Sequence, residues 1–140
     1  MPIALTEDLY TATATATGGR AGRATTDDGL LDVPLAAPRE MGGPGGATNP
    51  EQLFAAGYSA CFQSALGAVG RQRKIDTSGS TVTADVTIGK ADGGGFGLRV
   101  TLRAEIPGVD DETNRELVQA ADAMCPYSNA IRGNVEVTLA

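Results

Sequence analysis

The sequence contains no histidine and no tryptophan, and only two of its 140 residues are cysteine. The absence of histidine excludes every catalytic pair in which an imidazole activates a serine or a cysteine. Two cysteines without histidine also argue against a zinc site, because structural zinc usually has four nitrogen or sulfur ligands. We therefore expect no metal, and a reactive thiol in this chain must be activated by another kind of group.

Basic residues are few as well, with 11 Lys and Arg against 17 Asp and Glu, for a formal net charge of −6. Nucleic-acid binding needs clustered positive charge, so we expect no nucleic-acid partner. No stretch approaches the ~18 consecutive apolar residues of a membrane span. The first residues also lack the basic and apolar regions of a signal peptide. These features predict a cytoplasmic protein that does not contact the membrane.

The length predicts one domain covering residues 1–140. Nineteen glycines and only three Phe and three Tyr indicate close backbone packing and tight turns rather than a core of large side chains. In a cytoplasmic chain, two cysteines are more often reactive or simply buried than joined in a structural disulfide.

The N-terminal third alternates in the manner of strands and predicts a meander of three, at residues 9–17, 20–26 and 30–33. Gly18-Gly19 is a hairpin signal between the first two strands. Arg20 is therefore predicted at the start of the second strand. The glycine-rich stretch at 36–48 is predicted to be a connecting loop, because it lacks the Gly-Lys-Ser/Thr ending of a phosphate-binding loop.

A long helix is predicted from Asn49 to about Lys74. Asn49 is suited to cap its first turn, Pro50 to occupy the first helical position, and Glu51 to lie beside the positive end of the helix dipole. Apolar residues fall on nearly every face, which predicts a buried, central helix. Cys61 lies near its middle.

The rest of the chain predicts a hairpin of two strands at residues 80–90 and 96–106, followed by a helix that begins at Asp110. A short turn or helix is predicted at 125–133 and a last strand at 134–139. The buried stripe of the second helix is expected to contain Leu117, Ala121, Met124 and Cys125. The order β-β-β-α-β-β-α-β indicates the α+β class, with antiparallel sheet and helices on one face.

The two cysteines allow more than one interpretation. A buried cysteine is often only a small hydrophobic residue. Alternatively, Cys125 precedes Pro126 and could lie at the N-terminus of a short helix, where a thiol becomes more acidic. Local electrostatics alone would thus make Cys125 the more acidic of the two thiols, and it does not assign the attacking role to Cys61.

Two segments, NPEQLFAAGYSACFQSAL at 49–66 and CPYSNA at 125–130, resemble the organic hydroperoxide resistance proteins, the Ohr branch of the Ohr/OsmC superfamily. The turn at 17–20, TGGR, matches as well, and the resemblance covers essentially the whole chain. It implies an Ohr/OsmC-like fold, with antiparallel sheets packed around central helices in an intertwined homodimer.

The resemblance also implies a thiol peroxidase that reduces organic hydroperoxides, fatty-acid peroxides included, to alcohols. By the same resemblance, Cys61 is the peroxidatic cysteine that becomes a sulfenic acid, and Cys125 resolves it to a disulfide. Arg20 corresponds to the active-site arginine and Glu51 to the glutamate that positions it. No cofactor is expected to be bound; dihydrolipoyl groups on a lipoylated protein are the implied reductant.

The sequence supports these roles unevenly. A cysteine in the middle of a helix gains little from the helix dipole, so a permanently charged arginine is the natural activator of Cys61. Glu51 and Cys61 are ten residues apart on one predicted helix, or roughly 15 Å along its axis. Either Arg20 spans this separation or a partner subunit supplies Glu51. We therefore expect the active sites to lie at a dimer interface.

Phe54, Tyr58, Phe62 and Met124 are candidates for an apolar substrate pocket, although core packing is the better explanation for each of them taken individually. Two other functions remain open at this point. One is an OsmC-type peroxidase with a different peroxide preference, and the other is a non-enzymatic dimer that senses oxidants through a regulatory disulfide.

Overall fold

The computed structural model describes residues 2–140. We number its strands and α-helices in chain order: β1 (Ala14–Thr17), β2 (Arg23–Thr26), β3 (Asp32–Pro34), α1 (Pro50–Arg73), β4 (Thr81–Lys90), β5 (Phe96–Glu105), α2 (Asp111–Met124), α3 (Pro126–Ile131) and β6 (Glu136–Leu139). Short 3₁₀ turns occur at Gly19–Ala21 and Arg39–Met41. The predicted α+β class and element order are confirmed. The chain forms two compact units, one ending at Leu53 and the other Phe54–Ala140, which we describe in turn.

The N-terminal unit contains the predicted three-stranded meander, in which β1 pairs with β2 and β2 with β3, both antiparallel. The first strand is shorter than expected. Ala14 lies opposite Thr26, and the backbone then turns, with the Asp27 N–H donating to the Thr13 carbonyl. Within residues 2–140 no strand pairs with residues 9–13, so their alternating pattern does not produce a longer β1.

Arg20 lies in the 3₁₀ turn and not at the start of a strand, which corrects the prediction from sequence. The reason lies in the backbone of the turn. Gly18 and Gly19 both have positive φ angles, of 73° and 55°, and a Cβ on Gly22 would lie 1.6 Å from the Thr17 carbonyl oxygen. The chain is thus folded back tightly through Gly22, and regular pairing resumes only at Arg23.

The ends of α1 agree with the prediction, and both are explained by local hydrogen bonds. The Asn49 side chain accepts the Gln52 N–H at 2.8 Å, which caps the first turn. At the other end Lys74 is left-handed, with φ 58°, and the Ile75 N–H returns to the Gly70 carbonyl at 2.8 Å. This is the Schellman arrangement, which satisfies carbonyls that the helix end leaves free.

The expectation that α1 is buried on nearly every side is wrong for the single chain. Its buried residues are Tyr58, Phe62, Ala65, Leu66, Val69 and Gly70. The small residues Ala56, Ala60 and Ser64 are exposed. One face of α1 thus packs in the C-terminal unit, and a second face of small side chains is open.

The sheet of the C-terminal unit has the order β4-β5-β6. The predicted hairpin is confirmed, with Thr81 opposite Glu105 and Lys90 opposite Phe96. The expectation of an antiparallel sheet is wrong for the last strand, because β6 lies parallel to β5. Two helices intervene between these strands, and a long helical connection allows the chain to re-enter the sheet in the same direction.

The core of this unit is formed by one side of α1, the inner face of β5 and the buried side of α2, with Tyr58, Phe62, Leu66, Val69, Val100, Leu102, Leu117 and Cys125 as its largest fully buried residues. The Asp110 side chain caps α2 by accepting the Thr113 N–H at 2.7 Å. Within residues 2–140, no helix has the length and apolar character needed to cross a membrane.

The buried stripe of α2 differs from the prediction at one position. Leu117, Val118 and Ala121 are buried and Cys125 follows them, but Met124 is 39% exposed. At 3.6 residues per turn, positions 117, 118, 121 and 125 project from one side of the helix. Met124 lies at the edge of that side, where it is partly open to solvent. Val118 takes the place in the stripe that the sequence predicts for Met124.

Candidate active site

The two thiols meet in the C-terminal unit. Cys61 lies in the middle of α1 and is half-buried, whereas Cys125 is fully buried. Their sulfur atoms are 3.6 Å apart, and both cysteines are free. A disulfide bond is about 2.05 Å long, so a small displacement separates this contact from a covalent bond.

Cys125 is held by both of its neighbouring helices. Its N–H donates to the Ala121 carbonyl at 2.8 Å and ends α2, and its own carbonyl accepts the Asn129 N–H at 3.0 Å and begins α3. Pro126 occupies the first position of α3, where the missing N–H is not needed. The predicted location of Cys125 at the start of a short helix is therefore confirmed, and one residue forms the corner between two helices.

The surroundings of Cys61 in this unit do not make it acidic. Burial raises the pKa of the Cys61 thiol, and Cys125 raises it further, first through the hydrogen bond between the two sulfur atoms and then through charge repulsion. The backbone N–H of Tyr127 acts in the opposite direction and lowers that pKa, but burial outweighs it. Efficient attack on a peroxide needs the thiolate, so additional positive charge is required.

A buried pair of hydroxyl groups lies one helical turn from the two cysteines. The Tyr58 hydroxyl on α1 and the Ser128 hydroxyl on α3 are 2.6 Å apart, and both residues are buried. Burial raises the pKa of Tyr58, which keeps its hydroxyl neutral and able to donate. This pair was not predicted from the sequence. The only local signal was spacing, since each hydroxyl residue lies three positions from a cysteine.

Aromatic rings cover the same region. The Tyr127 ring is 5.8 Å from the Tyr58 ring and 6.1 Å from the Phe54 ring, measured between centroids. It also lies against Gly57, where a Cβ would be 2.9 Å from the Tyr127 hydroxyl. A glycine one turn before Cys61 thus makes room for an aromatic ring that is itself 40% exposed.

The four residues proposed for an apolar pocket have different environments. Tyr58 and Phe62 are fully buried and belong to the core, so they present no surface to a ligand in this structure. Phe54 is half-buried and Met124 is exposed.

The N-terminal unit brings together Arg20 and Glu51. The guanidinium donates two hydrogen bonds to the carboxylate, Nη1 to Oε2 at 2.8 Å and Nη2 to Oε1 at 2.6 Å. The Arg20 side chain is 35% exposed and that of Glu51 is 14% exposed. The guanidinium holds the pKa of the Glu51 carboxyl below its usual value, and the carboxylate raises the pKa of Arg20. The pair is therefore fully ionised at neutral pH.

Each member of this pair has its position fixed by local structure. Arg20 projects from the glycine-rich 3₁₀ turn, and Glu51 lies in the first turn of α1 next to the Asn49 cap. A two-point contact restricts the planar guanidinium more strongly than a single hydrogen bond would. Within residues 2–140 there is no group of three or more His, Cys, Asp or Glu side chains that could hold a metal ion.

Comparison with known proteins gives a consistent result. The OsmC-like protein family matches residues 43–140. A protein of Xanthomonas axonopodis pv. citri named organic hydroperoxide resistance protein is 55% identical over 133 residues, which is 94% of this chain and 93% of that protein. A crystal structure of an organic hydroperoxide resistance protein from Legionella pneumophila superposes with a TM-score of 0.91 at 52% identity, covering 95% of this chain and 97% of the other. The organic hydroperoxide resistance protein OhrB of Bacillus subtilis superposes with a TM-score of 0.86 at 47% identity, covering 94% and 98% of the two chains.

Proposed function

The chain belongs to the OsmC-like protein family and, within it, to the organic hydroperoxide resistance proteins, and on that basis we propose that it reduces organic hydroperoxides to alcohols with two cysteines. A role in peroxide detoxification follows from the family. The two-step thiol mechanism, the residues that perform it and the reductant are proposed in addition.

The observation that carries the mechanism is the 3.6 Å contact between the Cys61 and Cys125 sulfur atoms. The Cys61 thiolate attacks the outer oxygen of the hydroperoxide, the O–O bond breaks, and the alkoxide leaves as the alcohol after taking a proton. Cys61 is then a sulfenic acid. The Cys125 sulfur attacks the Cys61 sulfur, the S–O bond breaks, and hydroxide leaves as water. The resulting disulfide needs no oxidant besides the one peroxide.

The half-exposed position of Cys61 supports its role as the attacking thiol, since Cys125 is fully buried and less accessible to a peroxide. Because its local surroundings raise the Cys61 pKa, the mechanism needs a cation, and we assign that role to Arg20. Glu51 would hold the guanidinium in one orientation through the two-point contact. Arg20 is charged at every physiological pH, so it would stabilise the thiolate without titrating itself.

The organic part of the substrate needs apolar surface near Cys61. Phe54 supplies half-buried surface and Met124 exposed surface, and we assign both to contact with an alkyl chain. Tyr58 and Phe62 would support this surface from the core.

We further propose that the protein is a homodimer. Five large apolar residues of the N-terminal unit are between 68% and 90% exposed: Ile3, Leu5, Leu9, Tyr10 and Leu30. Exposed apolar surface of this kind marks interaction sites in water-soluble proteins. Light scattering after size-exclusion chromatography should give twice the chain mass of 14.2 kDa, and a monomer would contradict this assignment.

The oxidised protein must be reduced before another turnover. We assign this step to the two thiols of a dihydrolipoyl group on another protein, and we expect it to occur in the cytoplasm, where thiols are kept reduced. Exchange of the Cys61–Cys125 disulfide with that dithiol returns two free cysteines and leaves an oxidised lipoyl ring.

The decisive experiment is turnover. The purified protein should consume cumene hydroperoxide steadily in the presence of dihydrolipoamide, and Cys61→Ser should abolish consumption. Cys125→Ser should still react once with peroxide but lose recycling, and if its first oxidation were also lost, our assignment of the two roles would be wrong. A single stoichiometric oxidation of the wild-type protein with no turnover with any dithiol would instead identify an oxidant sensor.

A further inference from the structure

The hydroxyl pair Tyr58–Ser128 and the thiol pair Cys61–Cys125 connect the same two elements. Tyr58 lies three residues before Cys61 on α1, and Ser128 lies three residues after Cys125 on α3. Residues three apart on a helix are neighbours on its surface. The 2.6 Å contact between oxygens and the 3.6 Å contact between sulfurs are therefore adjacent links between α1 and the start of α3.

We propose that Tyr58 and Ser128 are positioning residues for disulfide formation, which hold Cys125 within reach of Cys61. This inference rests on the proposed function, and it concerns only the second chemical step. In that step the Cys125 thiolate attacks the Cys61 sulfenic sulfur, the S–S bond forms as the S–O bond breaks, and hydroxide departs as water.

The character of the contact supports a positioning role. Apolar packing is nondirectional, whereas a buried hydrogen bond fixes a distance and an angle. Tyr58 is fully buried and Ser128 is 3% exposed, so neither hydroxyl can exchange its partner for bulk water. Among the described residues, 2–140, no buried side-chain nitrogen or oxygen lacks a hydrogen-bond partner, so each hydroxyl of this pair has the other as its partner.

The position of Ser128 also makes it effective. Helix α3 has only six residues, and no side chain caps its first turn. Cys125 is the corner residue before that turn, so a rotation of α3 would move the Cys125 sulfur directly. The Tyr58–Ser128 bond ties the turn that follows Cys125 to the helix that carries Cys61, and it restrains this rotation.

The first test is a single-turnover reaction of the reduced protein with one equivalent of cumene hydroperoxide. Ser128→Ala should consume peroxide at close to the wild-type rate, because no bond to Cys125 forms or breaks in that step. Its disulfide should form about tenfold more slowly, since a misplacement of about 1 Å can cost as much as 10²-fold in rate. The sulfenic acid should accumulate correspondingly, and dimedone labelling with mass spectrometry would detect it.

A matched control removes a different contact of α3. Asn129→Ala deletes a hydrogen bond from the Arg132 guanidinium to the Asn129 carboxamide, 2.5 Å long, on the exposed side of the helix. This variant should form its disulfide at the wild-type rate. Equal slowing in Asn129→Ala and Ser128→Ala would show a general loosening of α3 and would overturn the assignment.

The double variant Tyr58→Phe with Ser128→Ala separates positioning from stability. Each single substitution leaves one buried hydroxyl unpaired, whereas the double variant leaves none, so its melting temperature should recover toward that of the wild type. Disulfide formation should stay slow, because the directional contact is still missing. Recovery of the disulfide rate together with the melting temperature would refute a positioning role.

A second readout does not use peroxide. In buffers of reduced and oxidised glutathione, the ratio of Cys61–Cys125 disulfide to dithiol gives the effective concentration of one thiol at the other. Ser128→Ala should lower it and Asn129→Ala should not. If the two variants differ in this way but the wild-type protein consumes no peroxide, the proposed function is contradicted and the positioning role is supported. If the wild-type protein turns over peroxide but the variants do not differ in the single-turnover or the glutathione assay, the proposed function is supported and the positioning role is contradicted.

Discussion

Two glycines on α1 should respond oppositely to the same substitution. Gly67 and Gly70 both lie within the helix, where replacement of glycine by alanine ordinarily stabilises by about 1 kcal/mol. A Cβ on Gly67 would meet only the end of the Arg71 side chain, at 3.5 Å. A Cβ on Gly70 would lie 2.6 Å from the Thr77 methyl carbon and 2.8 Å from the Ile75 carbonyl oxygen.

The contacts at Gly70 are too short for a methyl group, which needs about 3.5 Å from carbon. Overpacking of this kind costs about 1–3 kcal/mol, which offsets or exceeds the gain in helix propensity. The Ile75 carbonyl has little freedom to move, because Ile75 itself is held by the hydrogen bond that ends α1. We therefore expect Gly67→Ala to be more stable than Gly70→Ala by about 1–3 kcal/mol in free energy of unfolding.

Thermal unfolding of the reduced proteins, followed by circular dichroism, would measure this difference. For a chain of this length 1 kcal/mol corresponds to about 3 °C, so the two variants should melt about 3–9 °C apart. Adding Thr77→Ser to Gly70→Ala removes the closest methyl group and should restore part of the loss. Equal melting temperatures for Gly67→Ala and Gly70→Ala would refute the packing argument.

Three further predictions concern the charged pair and the start of α1. Arg20→Met should raise the pKa of Cys61, move the pH–rate profile of peroxide consumption to higher pH, and slow the reaction at pH 7 about tenfold for each unit of pKa; an unchanged profile would remove Arg20 as activator. Because Arg20 lowers the pKa of Glu51, their pairing stabilises the protein above the ordinary carboxyl pKa and is lost as the pH falls through the lowered value. The melting temperatures of the wild type and Glu51→Gln should accordingly converge in acid, and a difference that persists there would contradict the linkage. Asn49→Ala should cost about 1 kcal/mol through loss of the cap on α1, whereas Asn49→Asp should melt close to the wild type.

The parts of the fold that were predictable depend on local signals. Asn49 and Pro50 mark the start of α1 within two residues, and the hairpin of β4 and β5 follows from alternation and a glycine-rich turn. The location of Arg20 was not predictable in this way. It depends on close backbone contact between Thr17 and Gly22, which a pattern of residue types does not show.

Features that join distant parts of the chain were harder still. The parallel pairing of β6 depends on where α2 and α3 return the chain, and the exposure of Met124 depends on which arc of α2 meets the core. At the candidate site, the importance of the two cysteines followed from a resemblance, and the structure then placed them together. Tyr58 and Ser128 are 70 residues apart, and only the folded chain reveals that they touch.

The separation of Cys61 and Cys125 along the chain, 64 residues, has a consequence for the durability of the protein. A covalent bond between them would close a loop that contains β4, β5 and α2, and in the chain-entropy description a loop of this size destabilises the unfolded state by about 4 kcal/mol. The proposed reaction cycle would then alternate between a cross-linked and an open chain. Exposure to peroxide would leave the protein harder to unfold, and its reductant would restore activity and lower its heat resistance in the same step.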